Sequence, residues 1–223
     1  MYLVALTLLV LSKGRPYYLS PAYPVLIAAG ARGAEERLQK LPESIGRILR
    51  YAGNGTLSVG AVCIVALTLP LAPVNTGWWK VTSSLNDNLK EEVGWPELVT
   101  TVAKVYHNLS GLEKVQTGIL AENGGEAGAI NLYGTDYGLP VAISGFNSSW
   151  DRGYGNPPPR TVIAVGFTAD FLTANFESLE AVARVTNRYN VANQETTVTP
   201  LIFLCHGLRS SWPEFWRRVR CFG

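Results

Sequence analysis

The chain has 223 residues, of which 47% are hydrophobic and 16% are charged, and its formal net charge at pH 7 is +2. This small charge gives no general attraction for nucleic acid, and the length allows a folded domain together with a few membrane segments. Cys63, Cys205 and Cys221 lack the spacing of metal ligands, so the sequence indicates no metal site and no cofactor, although Cys205 and Cys221 could pair in an exported domain.

The first predicted element is an apolar stretch at residues 2–11 that is too short to cross a membrane. A membrane-spanning helix needs about 20 apolar residues, and a signal peptide would begin with basic residues that are missing here. We therefore expect that the chain begins inside a helix and corresponds to the C-terminal part of a longer membrane protein.

A cationic, tyrosine-rich hinge follows at residues 12–24, which read Ser-Lys-Gly-Arg-Pro-Tyr-Tyr-Leu-Ser-Pro-Ala-Tyr-Pro. Cations and phenols at a helix break near a bilayer need partners, because lipid tails cannot satisfy them. Lys13, Arg15, Tyr17 and Tyr18 could therefore hold an anionic head group at the water interface. Ordinary interfacial anchoring by snorkelling side chains is the alternative interpretation of the hinge.

Two further apolar segments are predicted, over residues 17–34 and 57–74. The second is the clearer one, because it is almost wholly apolar and is long enough to span a membrane. We expect the prolines near its end to terminate the helix. Trp78 and Trp79 come shortly after it and suit an aromatic belt at the membrane surface.

Basic residues between these two segments predict the orientation of the chain. Because an excess of Lys and Arg favours the cytoplasm, this connection is predicted to be cytoplasmic, and both the hinge and the second half of the chain extracytoplasmic. The predicted domains are transmembrane helices over residues 1–79 and an extracytoplasmic domain over residues 80–223. The charged residues of the connection are Arg32, Arg37, Lys40, Arg47 and Arg50 against Glu35, Glu36 and Glu43.

The second half of the chain alternates predicted strands and helices. This alternation is typical of a layered α/β domain, so the predicted fold class is α-helical transmembrane segments followed by a soluble layered α/β domain. The predicted strands cover residues 114–121, 139–144, 161–167 and 199–205, and the predicted helices cover residues 95–109, 125–133, 169–187 and 212–219.

Two turns that follow predicted strands are candidates for ligand binding. Residues 123–128 occupy the place of a phosphate-binding turn, but Glu126 would put a negative charge where the phosphate binds, so a tight strand-to-helix turn is favoured. Asn147 and Trp150 follow another strand end, where α/β domains place ligand groups, and could contact a sugar or an acceptor. A hydrogen-bonded loop packed under the domain is the alternative for these two residues.

The hinge and several later motifs together resemble bacterial membrane glycosyltransferases related to protein O-mannosyltransferases and to the aminoarabinose transferase of lipid A. The resemblance covers nearly the whole chain. It implies the C-terminal transmembrane helices of a superfamily-C type glycosyltransferase and a soluble domain. Members transfer a sugar from a polyprenyl-phosphate donor to an acceptor outside the cytoplasm. The motifs that carry the resemblance are residues 12–30, 94–99, 123–130, 137–150 and 204–216.

The resemblance also implies roles for particular residues. The matching hinge of related enzymes lies near the lipid phosphate, so Lys13, Arg15, Tyr17 and Tyr18 are expected to bind the phosphate leaving group. The family's catalytic carboxylates lie in the first extracytoplasmic loop, which this chain lacks, so no catalytic residue is assigned and the chain alone is expected to be inactive. The sequence leaves open whether transfer inverts or retains the configuration of the sugar.

The partners implied by the resemblance are a polyprenyl-phosphate-linked sugar, membrane lipid, and an acceptor that is a lipid, a glycan or a protein. The implied location is the bacterial inner membrane, with a multi-pass topology and an extracytoplasmic C-terminal domain in the cell envelope. A different class of protein fits the same sequence. In that alternative, the chain is a membrane-anchored, non-enzymatic α/β module that binds sugar.

Overall fold

A computed structural model describes residues 2–11 and 16–222 of the chain, and the side chains of residues 16–18 lie outside that description. The chain divides into one unit of Met1–Ala66 and a second unit of Leu67–Gly223. The domain boundary predicted from the sequence lies between residues 79 and 80. Residues 67–79 of the predicted membrane part therefore belong with the second unit.

The first unit is helical. It contains α1 (Tyr2–Leu11), a 3-10 helix (Pro16–Ala22), α2 (Tyr23–Leu38) and α3 (Glu43–Thr68). Within the described ranges, α3 is the one helix that is long and apolar enough to cross a membrane, judged by length and composition. Its 26 residues extend roughly 39 Å at 1.5 Å per residue, which exceeds the hydrocarbon core of a bilayer. A multi-pass topology stays a prediction.

The third predicted segment and the connection before it differ from the structure. Helix α3 begins and ends earlier than the predicted segment 57–74, because it includes Glu43 at its start and ends before Pro70. Most of the predicted cytoplasmic connection lies in the last turns of α2 and the first turns of α3. In the described part of the chain, Arg37 and Lys40 have no ion pair. The three acids of this connection are all paired: Arg32–Glu36 (3.0 Å), Arg47–Glu43 (2.6 Å) and Arg50–Glu35 (2.8 Å).

A mixed four-stranded sheet forms the centre of the second unit. Its strands are β1 (Thr117–Ala121), β2 (Thr161–Val165), β3 (Phe176–Arg184) and β4 (Leu201–Leu208), in the spatial order β1-β2-β4-β3. Strands β1 and β2 are parallel, whereas β4 is antiparallel to both of its neighbours. The carboxyl ends of β1 and β2 therefore meet at one edge of the sheet.

Helices cover both faces of this sheet and confirm the predicted layered α/β fold. Side chains alternate along β1, so Ile119 packs in one core and Leu120 in the other. Helices α6 and α8 contribute to the first core, and α9 and α10 contribute to the second. The helices of this unit are α4 (Gly77–Leu85), α5 (Asn88–Glu91), α6 (Trp95–Asn108), α7 (Gly111–Val115), α8 (Gly124–Tyr133), α9 (Ala169–Asn175) and α10 (Trp212–Arg218).

Three predicted helices are confirmed, because α6, α8 and α10 match residues 95–109, 125–133 and 212–219 to within one residue at each end. The predicted aromatic belt is not confirmed for Trp79. This side chain is only 7% exposed and packs within α4 of the second unit, whereas the neighbouring Trp78 is 47% exposed.

The predicted helix at residues 169–187 is wrong over most of its length. Helix α9 ends at Asn175, and the chain continues as edge strand β3, paired antiparallel with β4. Glu, Leu, Ala and Arg in this stretch favour a helix locally, but pairing along β4 provides backbone hydrogen bonds that no local signal reveals. The exposed Glu177 and Glu180 are charges of the kind that discourage pairing with another chain at a sheet edge.

Two predicted strands are also corrected. The strand predicted over residues 114–121 begins only at Thr117, because the residues before it belong to the short helix α7. Ser110 caps this helix by accepting a hydrogen bond from the backbone N–H of Glu113. Residues 139–144 form no strand. Ile143 alone bridges to β1, and the backbone N–H of Ala142 donates instead to the side chain of Asn131.

Candidate functional site

The hinge predicted to bind a lipid phosphate is only partly described by the structure. Lys13 and Arg15 lie outside the described residues. The backbone of Tyr17 and Tyr18 forms part of the 3-10 helix Pro16–Ala22, and their side chains are outside the description. A phosphate site made by these four residues therefore stays a prediction from the sequence.

Asn147 and Trp150, the predicted sugar contacts, lie on one short 3-10 helix that spans Asn147–Arg152. Asn147 is exposed and adopts a left-handed backbone with φ of 48°, and its N–H donates to the carbonyl oxygen of Cys221 at 2.8 Å. This bond ties the start of the 3-10 helix to the C-terminal segment of the chain.

Trp150 is held by a reciprocal pair of hydrogen bonds. Its indole N–H donates to the carbonyl oxygen of Trp216 at 2.7 Å, and the indole N–H of Trp216 donates to the carbonyl oxygen of Trp150 at 3.0 Å. The guanidinium of Arg220 lies 4.2 Å from the ring centre of Trp150. The indole N–H and one ring face are thus occupied, and the half-buried ring also packs against the second core. A sugar contact by Trp150 stays a prediction.

An open cavity of about 660 Å³ lies beside this 3-10 helix. Its volume is within the range of small-molecule sites. Tyr154 stacks on Trp212 with ring centres 5.2 Å apart and an interplanar angle of 22°, and the indole N–H of Trp212 donates to the carbonyl oxygen of Pro159 at 3.0 Å. These contacts fix an aromatic wall. We call this cavity the aromatic pocket; it is lined by Arg152, Gly153, Tyr154, Gly155, Asn156, Pro158, Trp212 and Pro213.

Three polar groups lie in the lining of the aromatic pocket. In the part of the chain that the structure describes, the guanidinium of Arg152, the hydroxyl of Tyr154 and the side-chain amide of Asn156 make no hydrogen bond or ion pair. Together they offer the N–H donors of a permanently charged guanidinium, a hydroxyl, and an amide that both donates and accepts hydrogen bonds. An aromatic wall with a few polar groups is the composition of a ligand site.

The aromatic pocket was not predicted from the sequence. Glycine and proline dominate residues 153–160, and this composition indicates only a loop. A weak signal was present, since Arg152, Tyr154 and Asn156 are spaced two apart in a stretch that directly follows Trp150. The other half of the wall, Trp212, is distant in sequence and is brought close only by the packing of α10.

A second feature lies where the parallel strands β1 and β2 end. Glu126, in the first turn of α8, is fully buried, and its Oε2 accepts the backbone N–H groups of Glu122 at 3.0 Å and Asn123 at 3.2 Å. Asn123 Oδ1 accepts the N–H of Glu126 at 2.9 Å, which completes a capping box. The predicted tight strand-to-helix turn is confirmed, and these side chains occupy the position of a phosphate.

The surroundings of the Glu126 carboxyl group favour its neutral form. Burial is the main reason that its pKa is raised to about 8; the nearby charges of Glu195 and Glu122 also raise it, and the hydrogen bonds from Asn123 and Glu122 lower it. Glu126 Oε1 is buried and has no hydrogen-bond partner among the residues described here. Both carboxyl oxygens lie against the backbone of Gly166, just beyond the end of β2.

No family model, curated protein or solved structure matches the chain. We therefore infer the chemistry of the aromatic pocket and of the Glu126 turn from their own residues. Over residues 2–11 and 16–222, no group of three or more His, Cys, Asp or Glu side chains is arranged to hold a metal ion. Of the two features, only the aromatic pocket is open to solvent, so it is the candidate ligand site of the α/β unit.

Proposed function

We propose that the chain is the C-terminal region of an integral-membrane glycosyltransferase that takes a sugar from a polyprenyl-phosphate donor. The observation that carries the proposal is the hinge at residues 12–24, in which Lys13, Arg15 and several tyrosines follow the apolar helix α1 and precede the membrane-length helix α3. Its motif resembles that of the protein O-mannosyltransferase-like transferases, in which this part of the chain approaches the lipid phosphate.

The reaction exchanges one bond at the anomeric carbon of the sugar. The bond between this carbon and the phosphate oxygen breaks, a bond to an acceptor hydroxyl oxygen forms, the hydroxyl proton passes to a base, and polyprenyl phosphate leaves. Negative charge grows on the phosphate as the first bond breaks. Lys13 and Arg15 stabilise that charge, and the phenols of Tyr17 and Tyr18 donate hydrogen bonds to it. The α/β unit receives the acceptor on the outer side of the membrane.

A membrane-anchored, non-enzymatic sugar-binding module is the second candidate. The observation that favours it is the aromatic pocket, which has the size and lining of a ligand site and needs no other part of a catalytic machinery. The two candidates differ in one measurable property. The transferase consumes its lipid-linked donor, whereas the binding module retains sugar without breaking a bond.

Replacing Lys13 or Arg15 by Ala is expected to lower the rate of sugar transfer by about 10²-fold each, because each substitution removes a charge that stabilises the leaving phosphate. The measurement is the release of polyprenyl phosphate from a radiolabelled donor. The enzyme is the chain together with all coding sequence that precedes it in its gene, assayed in native membranes. Arg37→Ala and Lys40→Ala serve as matched controls, since these cations lie at the end of α2 and just beyond it, on the predicted cytoplasmic side.

Unchanged transfer rates in the Lys13 and Arg15 variants would disprove the phosphate role of the hinge. Equal losses in the Arg37 and Lys40 controls would show that the effect is a general one of charge or of membrane insertion. If the unsubstituted protein retains labelled sugar in membranes and releases no polyprenyl phosphate, the binding module is the correct function.

Labelling of Cys221 is expected to report the location of the α/β unit. The pairing of Cys205 with Cys221 is not formed: both thiols are free, Cys221 is exposed, and Cys205 is fully buried with burial raising its pKa to about 12. In a Cys63→Ser background, a membrane-impermeant maleimide should therefore label intact spheroplasts at Cys221 alone. Cys221→Ser is the control and should abolish labelling. Labelling that needs prior permeabilisation would place the unit in the cytoplasm.

A further inference from the structure

Arginines are frequent in the chain segments that contribute to the aromatic pocket. The segments 145–160 and 205–222, which form the pocket and its surroundings, contain six arginines and only two acids. No ion pair involves any of these residues within the ranges that the structure describes. The arginines are Arg152, Arg160, Arg209, Arg217, Arg218 and Arg220, and the acids are Asp151 and Glu214.

Most of these arginines are engaged in other contacts. Arg209 and Arg217 donate to backbone carbonyl oxygens, Arg218 donates to the side chains of Asn175 and Ser210, and Arg220 lies over Trp150. Arg152 differs, because it lines the aromatic pocket and its guanidinium makes no hydrogen bond or ion pair to any residue in the described ranges. The pocket thus combines an aromatic wall with one guanidinium that is available to an anion.

We propose that the aromatic pocket binds an anionic sugar, a pyranose ring that carries a carboxylate or a phosphate. The C–H face of the ring packs on the wall formed by Tyr154 and Trp212, which is apolar and rigid. The planar fork of Arg152 binds the carboxylate or phosphate through two parallel hydrogen bonds. The amide of Asn156 and the hydroxyl of Tyr154 bond to sugar hydroxyls.

The anionic group of the ligand matches the guanidinium of Arg152, and its pyranose ring matches the aromatic wall. A neutral sugar would leave the guanidinium of Arg152 without an anion, and a free inorganic anion would leave the aromatic wall without a partner. As a statement about biological role, the inference rests on the proposed function, in which the pocket holds an anionic acceptor glycan. As a statement about binding, it can be tested without any lipid-linked donor.

The test is a titration of the detergent-solubilised 223-residue chain, followed by its tryptophan fluorescence. The probes are glucuronate and glucose 6-phosphate, which represent the two sources of negative charge, with glucose and inorganic phosphate as half-ligands. We expect saturable binding of at least one anionic sugar, at least about tenfold tighter than that of glucose or of phosphate, because one charge-assisted pair to Arg152 is worth about that factor.

Arg152→Ala is expected to weaken binding of the anionic sugar by about tenfold or more and to leave the weak binding of glucose unchanged. Arg217→Ala is the matched control, since Arg217 is an exposed arginine of α10 that does not line the pocket. Arg152 is exposed, so the variant should keep the far-UV circular dichroism and the unfolding midpoint of the unsubstituted chain. If it does not, Arg152→Lys tests the same point, because Lys keeps the charge and loses the bidentate fork.

Several results would overturn the inference. They are equal affinity for glucose and the anionic sugars, inorganic phosphate binding as tightly as glucose 6-phosphate, equal losses in Arg152→Ala and Arg217→Ala, or no saturable binding of any probe. Because no polyprenyl phosphate is present in the titration, none of these results bears on the transferase assay of the hinge variants. Failure of the transferase with a positive titration would instead support the sugar-binding module.

Discussion

Replacing Glu126 by Gln is expected to stabilise the α/β unit at neutral pH and to remove most of its pH dependence between about pH 4.5 and pH 8. The pKa of Glu126 is raised to about 8 in the folded chain, from 4.5 when the group is unperturbed. Below pH 4.5 both the folded and the unfolded chain hold the proton, so the ionisation of this group does not lower the free energy of unfolding. Gln has the same shape, stays neutral, and can still accept the two backbone N–H groups.

The sign of the effect follows from which state holds the proton. As the pH rises from 4.5 to 8, the unfolded chain loses the proton of Glu126 while the folded chain keeps it. The free energy of unfolding therefore falls by about 1.4 kcal/mol per pH unit, or about 5 kcal/mol over the interval. Above pH 8 both states are ionised and the loss is complete. The Gln variant lacks this loss, so its advantage should grow from near zero at pH 4.5 to its maximum at pH 8.

Urea unfolding of the detergent-solubilised chain at pH 4.5, 6, 7 and 8, followed by tryptophan fluorescence, measures this effect. A smaller slope should remain in the variant, because the pKa values of Glu122 and Glu195 are also raised by burial. Glu122→Gln is the matched control, and it should change the slope much less, because the residue is exposed overall and its carboxyl group is only partly shielded from water, whereas Glu126 is fully buried. The same pH slope in the Glu126→Gln variant and the unsubstituted chain would show that Glu126 is ionised in the folded state.

Replacing Gly166 by Ala is expected to destabilise the α/β unit by about 3–5 kcal/mol, near the upper end for single substitutions. Gly166 has φ of +83°, which alone costs an Ala residue about 1–2 kcal/mol. The new Cβ would also overlap both carboxyl oxygens of Glu126, a group that is fully buried and held by two backbone hydrogen bonds. To avoid the new Cβ, the carboxyl group would have to shift away from the backbone N–H groups that it accepts.

Gly138→Ala separates the two contributions. Gly138 has φ of +62°, and a Cβ there would meet no atom within 4 Å, so this control carries the backbone strain without the overlap. Its cost should be about 1–2 kcal/mol, measured by urea unfolding at pH 6. In the double variant Glu126→Ala, Gly166→Ala the overlap is removed, so the total loss should be smaller than the sum of the single losses. Additive losses, or equal costs at Gly166 and Gly138, would contradict the contact between Gly166 and Glu126.

Local signals in the sequence were sufficient to predict some elements of the fold. Helix α6 was predicted from its apolar spacing and from Pro96 in its first turn, and the turn before α8 from glycines that follow an apolar run. The side chains that determine these elements lie within a few residues of one another. Strand β3 was predicted as helix for the opposite reason, since its backbone bonds are made with β4, which is remote in sequence.

The site was predictable only in part. Asn147 and Trp150 were predicted to follow a strand end, whereas they lie on a 3-10 helix that no strand directly precedes, although this helix adjoins the aromatic pocket. The identity of the wall was not predictable, because Tyr154 and Trp212 meet only when α10 packs against the sheet. The raised pKa of Glu126 was not predictable either, since the sequence shows only a glutamate and its burial is decided by tertiary packing.

By itself, the sequence determined the layered α/β character of the second half and the apolar stretch at residues 57–68 that lies in α3. These properties depend on the order of residues along short stretches of chain. The lipid-phosphate role of the hinge and the family resemblance stay predictions. The tertiary structure decided the strand order and the assembly of Arg152, Tyr154 and Trp212 around one cavity. It also decided that residues 176–184 form a strand, where a helix was predicted. These features depend on contacts between segments far apart in the chain, because hydrogen-bond pairing and burial are properties of the packed molecule.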